Sequence, residues 1–372
     1  MTEPDLGAVN NKLRLKLDFN LSNRMTVSCA YEITARIQDH RFFTGEISMS
    51  PVTPPEYRLV DIRKRLYPGP GVTPESFAID QNLDRFMLKV KTDAVDIFVG
   101  RQPIAWGSAR IISPTDVIAP FAFNELDKEE LKGVDAVRVV VPLGTMDELE
   151  GGIIAGKRLD PGENAFFLRG RTHQLKTDLS AMAMAFRNHF LFGLDIARSV
   201  AGMGLWLEAA YVIPDLFRPD ATDKDSPYFR ASIGTDFSLN DKTYGFIEYH
   251  FNGAGTSRPE TSASLFQTTA YRDGSDYLLG RHYLGIGSTY QIAPLLAATG
   301  LVLFALSDES LMFAPNFEYN IAENIYLTAG GYLGIGKRPE IIETPPAPQT
   351  RLLHSEFGAY PDVIYTSIRV YF

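Results

Sequence analysis

The sequence predicts an all-β chain forming a single transmembrane antiparallel β-barrel of about 18 strands, with about 16 as the alternative count. Three observations carry that prediction. Apolar and polar residues alternate with period two over long segments, these segments exceed ordinary strand length, and the connectors between them alternate between tight and long. A strand that crosses lipid and borders an aqueous interior must keep an apolar face outward and a polar face inward over about 9–11 residues.

Composition agrees. Of 372 residues, 12% are aromatic, with 24 Phe and 17 Tyr, and 30 are Gly, a balance that suits pleated surfaces and turns. No apolar run reaches the ~20 residues of a spanning helix, and the longest, at 295–306, is too short. The mean hydropathy of -0.08 is compatible with alternating barrel strands. A formal net charge of -9 argues against nucleic acid as a partner, because that affinity rests on Lys and Arg neutralising phosphates. The single Cys29 excludes an intrachain disulfide framework, and no Cys/His spacing suggests zinc. The polar start MTEPDLGAVNN carries no charged-then-apolar signal segment, which implies a mature form restarted at Met1 or a cytoplasmic chain.

The pattern opens at 11–21, where Leu13, Leu15, Leu17, Phe19 and Leu21 share one face and Lys12, Arg14, Lys16 and Asp18 the other. After the turn at Ser22-Asn23, Met25, Val27, Cys29, Tyr31, Ile33, Ala35 and Ile37 lie opposite Thr26, Ser28, Ala30, Glu32, Thr34 and Arg36. The alternation recurs at 84–91, 95–102, 134–143, 149–157, 164–172, 178–187, 190–197, 203–212, 228–239, 243–251, 282–291, 295–306, 311–320, 325–336 and 357–372. Connectors at 92–94, 240–242 and 322–324 are tight, whereas those at 38–82, 103–133, 214–227, 252–281 and 337–356 are long and rich in polar residues, Pro and Gly. Short turns at one rim and long loops at the other are what a barrel of an outer membrane predicts. The lipid-facing set is then Leu13, Leu15, Leu17, Val27, Ile33, Leu88, Ile97, Leu205, Ile233, Phe317, Ile368 and Val370.

The last segment sets polarity. Ile364, Ile368, Val370 and Phe372 share one face. A terminal Phe372 on such a strand resembles the assembly signal of bacterial outer-membrane barrels, which implies a periplasmic C-terminus and recognition by the outer-membrane assembly machinery. Counting back places the long connectors on the outer side, apart from an ambiguous region around His173, and makes 11–21 run downward. An even-stranded barrel then needs one more strand upstream.

On this register the inward face of the N-terminal half is basic, with Lys12, Arg14, Lys16, Arg36, Arg85, Lys89, Lys91, Arg138, Arg169 and Arg171 only partly offset by Asp18 and Glu32. Acidic residues gather instead in connectors, among them Asp127, Glu129, Glu130, Asp220, Asp223 and Asp225. A one-sign stripe in a narrow, low-dielectric channel concentrates anions. The plainer alternative is a polar wall that does no more than solvate the interior.

The most distinctive stretch is GRQ-x3-WG at 100–107, followed by R-x3-PTD-x3-P from Arg110 to Pro120. It resembles outer-membrane porin-like proteins allied to the alginate-export barrels, mainly over 84–143. The resemblance implies 18 strands, a basic lumen and long loops folded inward, with 103–133 as a constriction loop. Arg101 offers a planar fork for a carboxylate, and Trp106 with Gly107 can turn the chain into the lumen. Alternatively, Arg101, Gln102 and Asp116 tie the loop to the wall. Asn124, the segment 125–132 and Gly133 read as a capped short helix within that loop.

The expected solute path comprises Arg14, Lys16, Arg36, Arg85, Lys89, Arg101, Trp106, Arg110, Arg138 and Arg169. The expected function is a Gram-negative outer-membrane channel that conducts or exports a hydrophilic anion, either a small solute or a polysaccharide. A structural sheath or scaffold for another envelope component is the alternative. A surface hydrolase is disfavoured, because the six His residues, among them His173, His189 and His250, show no Ser or Asp constellation. The acidic runs at 220–225 and 273–276 lack the Gly and terminal Glu of an EF-hand loop, and no Gly-rich phosphate loop opens a helix. Neither a catalytic residue, a metal nor a cofactor is expected.

Overall fold

β1 (Ala8–Ser22) and β2 (Met25–Gln38) form a long hairpin in which Leu13 pairs with Ile33 and Arg14 with Glu32, so apolar and charged positions stay in phase across strands. The computed structural model describes residues 6–44, 57–60, 62, 64–119, 130–160, 162–218, 220, 224–342 and 350–372. Next come the short helix α1 (His40–Thr44), β3 (Lys64–Tyr67), β4 (Phe77–Lys91), β5 (Asp96–Pro103), β6 (Gly133–Pro142), β7 (Glu148–Ile154), β8 (Ala165–Gln174) and β9 (Thr177–Phe186). The chain continues through β10 (His189–Val200), β11 (Met203–Ile213), β12 (Tyr228–Asn240), β13 (Thr243–Asn252), α2 (Ser262–Leu265), α3 (Thr269–Arg272), β14 (His282–Ala293), β15 (Leu296–Ala305), β16 (Ser310–Ala322) and β17 (Ile325–Ile335). A small hairpin of β18 (Glu340–Ile342) and β19 (Thr350–Leu352) precedes the final β20 (Val363–Val370).

All except the small hairpin belong to one antiparallel sheet of 18 strands. Neighbours follow chain order, except that β2 pairs directly with β4 and β17 with β20. β3 is a ledge: it pairs with β4 at 79–81, beyond the point where β5 leaves that strand at Phe86↔Arg101. Without β3 the wall alternates in direction so that β1 and β20 run the same way. Among the described residues no helix is long and apolar enough to cross a membrane.

Connectors sort by rim. At one end they are tight, the longest being 143–147; the other carries 104–132, 214–227, 253–281 and 336–362. The region around His173 resolves as a two-residue turn at the tight rim, where Leu175 and Lys176 both hold positive φ, as a turn matched to strand twist requires. The outward face is apolar and exposed: Leu13, Leu15, Leu17, Leu205, Ile233, Phe317, Ile368 and Val370 are each at least two-fifths accessible.

Three element expectations are corrected. The connector at 38–82 contains β3, and β4 begins at Phe77 rather than at 84. The segment 357–372 is strand only over Val363–Val370; Phe357, out of phase with the apolar face of Ile364, Ile368 and Val370, is fully buried against Tyr283 in a helical turn of the preceding loop. The segment 149–157 is strand only to Ile154, and a helical turn follows at Lys157–Leu159. The expected helix after Asn124 falls largely on 120–129, outside the described residues.

Candidate functional site

β1, β2 and β4 to β8 present the basic inward face. A β-bulge at Asp84, between the pairs Ala30↔Arg85 and Tyr31↔Leu83, allows two consecutive residues to serve that face. Arg14 bridges Glu32 and Asp84, the latter at 2.7 Å, and Arg85 approaches Asp84 at 3.4 Å. Glu130, from the connector between β5 and β6, joins this group by contacting Lys16, Arg14 (3.5 Å) and Arg85 (3.4 Å). Lys89 and Arg138 lie over the Phe98 ring at 4.9 and 4.4 Å, a cation–π arrangement. Arg138 and Arg169 both reach Glu150, at 3.0 and 3.4 Å, and Arg36 pairs with Asp80 at 3.0 Å. The stripe is therefore less one-signed than expected, because wall carboxylates at Glu32, Asp80, Asp84 and Glu150 are interleaved with it. Accessible cations remain at Lys16, Arg36 and Arg171.

Across the interior, β10 to β13 turn four carboxylates inward, at Asp195, Glu208, Asp236 and Glu248, and the chain following β5 docks on them. Glu208 accepts the N–H groups of Ala109 (3.0 Å) and Thr115 (2.9 Å) and the hydroxyls of Ser113 (2.6 Å) and Thr115 (2.7 Å). Glu248 accepts the N–H groups of Arg110 (2.6 Å), Ile111 (3.0 Å) and Ile112 (3.1 Å), together with the Trp206 indole N–H (2.9 Å). Ser108 donates to Asp195, and Arg110 pairs with Asp236 at 2.7 Å while lying over Trp206. Arg230 donates to the Pro114 carbonyl at 2.6 Å. Backbone donors that cannot join a sheet ladder are thus satisfied by charged acceptors, the stronger kind of hydrogen bond.

The GRQ-x3-WG motif makes this path possible. Gly100 holds φ +112, and a Cβ there would lie 2.2 Å from the Phe86 carbonyl oxygen; Gly107 holds φ +102 and passes so close to Glu208 that a Cβ would lie 2.3 Å from its carboxylate. Trp106 is 8% exposed and packs on Phe167 with ring centroids 4.7 Å apart. It sits in the apolar cluster with Ile104, Val117 and Ile118. Arg101 does not offer a free fork. It is 4% exposed, bidentate to Asp135 at 2.7 and 2.9 Å, and donates to the carbonyls of Leu83 and Val60. That geometry matches the tie to the wall, and the physical reason is the partner Asp135 on the neighbouring strand, opposite Arg101 in register.

Burial in this loop moves one titration. With its charge removed from water and Glu208 nearby, the Asp116 carboxyl is pushed up to about 7, against the opposing pull of the Ala119 and Ile118 amides and of Arg230.

Sequence reasoning missed Glu208, Glu248, Asp195 and Asp236. Each stands at an inward position of an alternating strand, so its direction was readable, whereas its partner was not. One Ser–His pair was also missed: Ser232 Oγ lies 2.8 Å from His250 Nδ1. Both are buried, and the serine spends its proton on the Ile112 carbonyl at 2.6 Å, so the hydroxyl ties the loop. Among the described residues no group of three or more His, Cys, Asp or Glu is placed to hold a metal ion.

No protein-family model and no curated protein matches the sequence. Solved structures do match the fold. The chain is similar to Pseudomonas aeruginosa OccK5 (OpdH), with a TM-score of 0.52 at 8% identity over 97% of this chain and 92% of that one. It is similar to Acinetobacter baumannii OccAB4, with a TM-score of 0.51 at 10% identity over 97% and 91%. Pseudomonas aeruginosa OccD3 (OpdP) gives a TM-score of 0.51 at 8% identity over 99% and 88%. These neighbours are outer-membrane porins, and the likeness establishes a shared porin fold.

Proposed function

We propose that the chain is an outer-membrane channel for hydrophilic, anionic solutes. The observation that carries this reading is the two-faced wall: the strands whose outward positions expose Leu13, Leu15 and Leu17 carry Arg14 and Lys16 on their inward positions. An apolar exterior suits lipid, and an ion-lined interior suits water and charged solute. The porin fold of its structural neighbours supports the same environment. Accessible Lys16, Arg36, Arg171 and Arg110 supply the anion preference, because a solute passing within about a Debye length (~8 Å at physiological salt) of them meets fixed positive charge.

The docked stretch 104–119 acts as the constriction, and Lys89, Arg138 and Arg169 extend the basic wall below it. The resemblance of the 100–107 motif to alginate-export barrels adds acidic polysaccharide to the solutes to assay. Reconstitution in planar bilayers under a salt gradient tests the reading: discrete conductance with an anion-selective reversal potential is expected. Cation selectivity would overturn the anionic part, and absence of conductance from folded protein would overturn the channel itself.

A further inference from the structure

We propose that Glu130 is a built-in occupant of an anion-binding site formed by Lys16, Arg14 and Arg85, and that a carboxylate-bearing solute binds there by displacing it. The inference rests on the channel reading above and names the binding step within it.

Four features support the assignment. First, the three cations come from wall strands, Lys16 and Arg14 from β1 and Arg85 from β4, so the site is built without the loop. Second, their other carboxylate neighbours, Glu32 and Asp84, also belong to the wall; among the described residues, Glu130 is the carboxylate that a connector brings to this group. Third, the contacts grade from fixed to exchangeable. Arg14 and Arg85 side chains are 13% and 12% exposed, whereas Lys16 is 59% and Glu130 30% exposed, so solvent and solute reach the Lys16–Glu130 side. Exposed ion pairs contribute little net free energy, which makes exchange for another carboxylate nearly isoenergetic. Fourth, Arg85 also donates to the Leu131 carbonyl at 2.5 Å, so the connector has a second handle on the wall and need not leave when Glu130 swings away.

The charge state fits. Partial burial alone would raise the Glu130 pKa, but its hydrogen bond from Lys16 and the charges of Arg14, Lys16 and Arg85 outweigh that and hold it below the ordinary glutamate range. Glu130 is therefore an anion at neutral pH and mimics a solute carboxylate in charge and in donor preference. With Glu130 displaced, the carboxylates that remain on Arg14, Lys16 and Arg85 among the described residues are Glu32 and Asp84, and a net positive site is open to the passing solute.

The test uses the full chain in planar bilayers with sodium succinate as the probe, read as concentration-dependent block of the chloride current. Glu130→Gln keeps the side-chain size and removes the competing charge; succinate should block at about threefold lower concentration, the effect of removing one unit charge a few ångströms away in a wet environment. Adding Lys16→Gln to that variant should cancel the gain. If wild type conducts and Glu130→Gln leaves succinate block unchanged or weaker, the proposal is overturned while the channel reading stands; if folded wild type carries no current, the channel reading fails. Should Glu130→Gln alter the unheated gel mobility, Lys16→Gln alone decides: weaker succinate block supports the site, and unchanged block overturns it.

Discussion

The two halves of the interior use the same chemistry for opposite ends. In β1 to β8, carboxylates and guanidinium groups alternate on one wall and pair largely with each other, as Arg14 does with Glu32 and Asp84 and Arg138 with Glu150. In β10 to β13, Glu208 and Glu248 hold main-chain N–H groups brought from the far side of the barrel. A wall that pairs largely within itself keeps an accessible edge, at Lys16 and Arg171. A wall that pairs with a loop fixes the loop and hence the shape of the interior. Charge in a lumen thus does not by itself mean solute contact; the partner decides.

The sharpest way to break this contrast is to remove the loop's acceptors. Glu208→Gln with Glu248→Gln leaves donors near 109–115 poorly satisfied, at ~1–3 kcal/mol for each buried donor that loses its partner. Amide exchange across that stretch should rise by at least about tenfold, and single-channel conductance should increase. Unchanged exchange would show that the apolar contacts of Trp106, Val117 and Ile118 hold the loop without the carboxylates.

A smaller effect separates tie from path. Arg101→Ala loses charge-assisted hydrogen bonds worth ~1.5–3 kcal/mol each before relaxation, and the temperature of the heat-induced gel shift should fall with little change in reversal potential. Arg110→Ala should do the reverse, because its exposed pair with Asp236 is worth only ~0.2–1 kcal/mol while its charge faces the lumen. A large selectivity loss in Arg101→Ala would return that residue to the solute path.

The smallest expected effect is pH dependence. Because the docked loop raises Asp116 from the ordinary carboxylate range to about 7, the docked state holds a proton that the released loop gives up. Docking is therefore strongest below about pH 4, where both states are protonated, and weakens as pH rises from there to about 7. Conductance should grow modestly across that window, and Asp116→Asn should flatten the Asp116 contribution. A wild-type profile that instead falls with pH would show that another group controls docking.

Much of this architecture is legible without coordinates. Period-two alternation is a local property, so Leu13, Leu15 and Leu17 could be placed on one face and Arg14 and Lys16 on the other from adjacent residues alone. The rhythm of short and long connectors, the inward phase of Lys89, Arg138 and Arg169, and the special backbone demanded by glycines in the 100–107 motif follow in the same way. Tertiary structure alone decided which charges meet. Lys16 and Glu130 are 114 residues apart, Ile111 and Glu248 137 apart, and nothing local to either member of a pair encodes the other. Their meeting depends on strand register accumulated around the sheet and on the route of a returning loop. That is why Arg101, whose guanidinium promised a solute contact, proved to face Asp135, and why Glu208 and Glu248 became the anchors of the loop that follows β5.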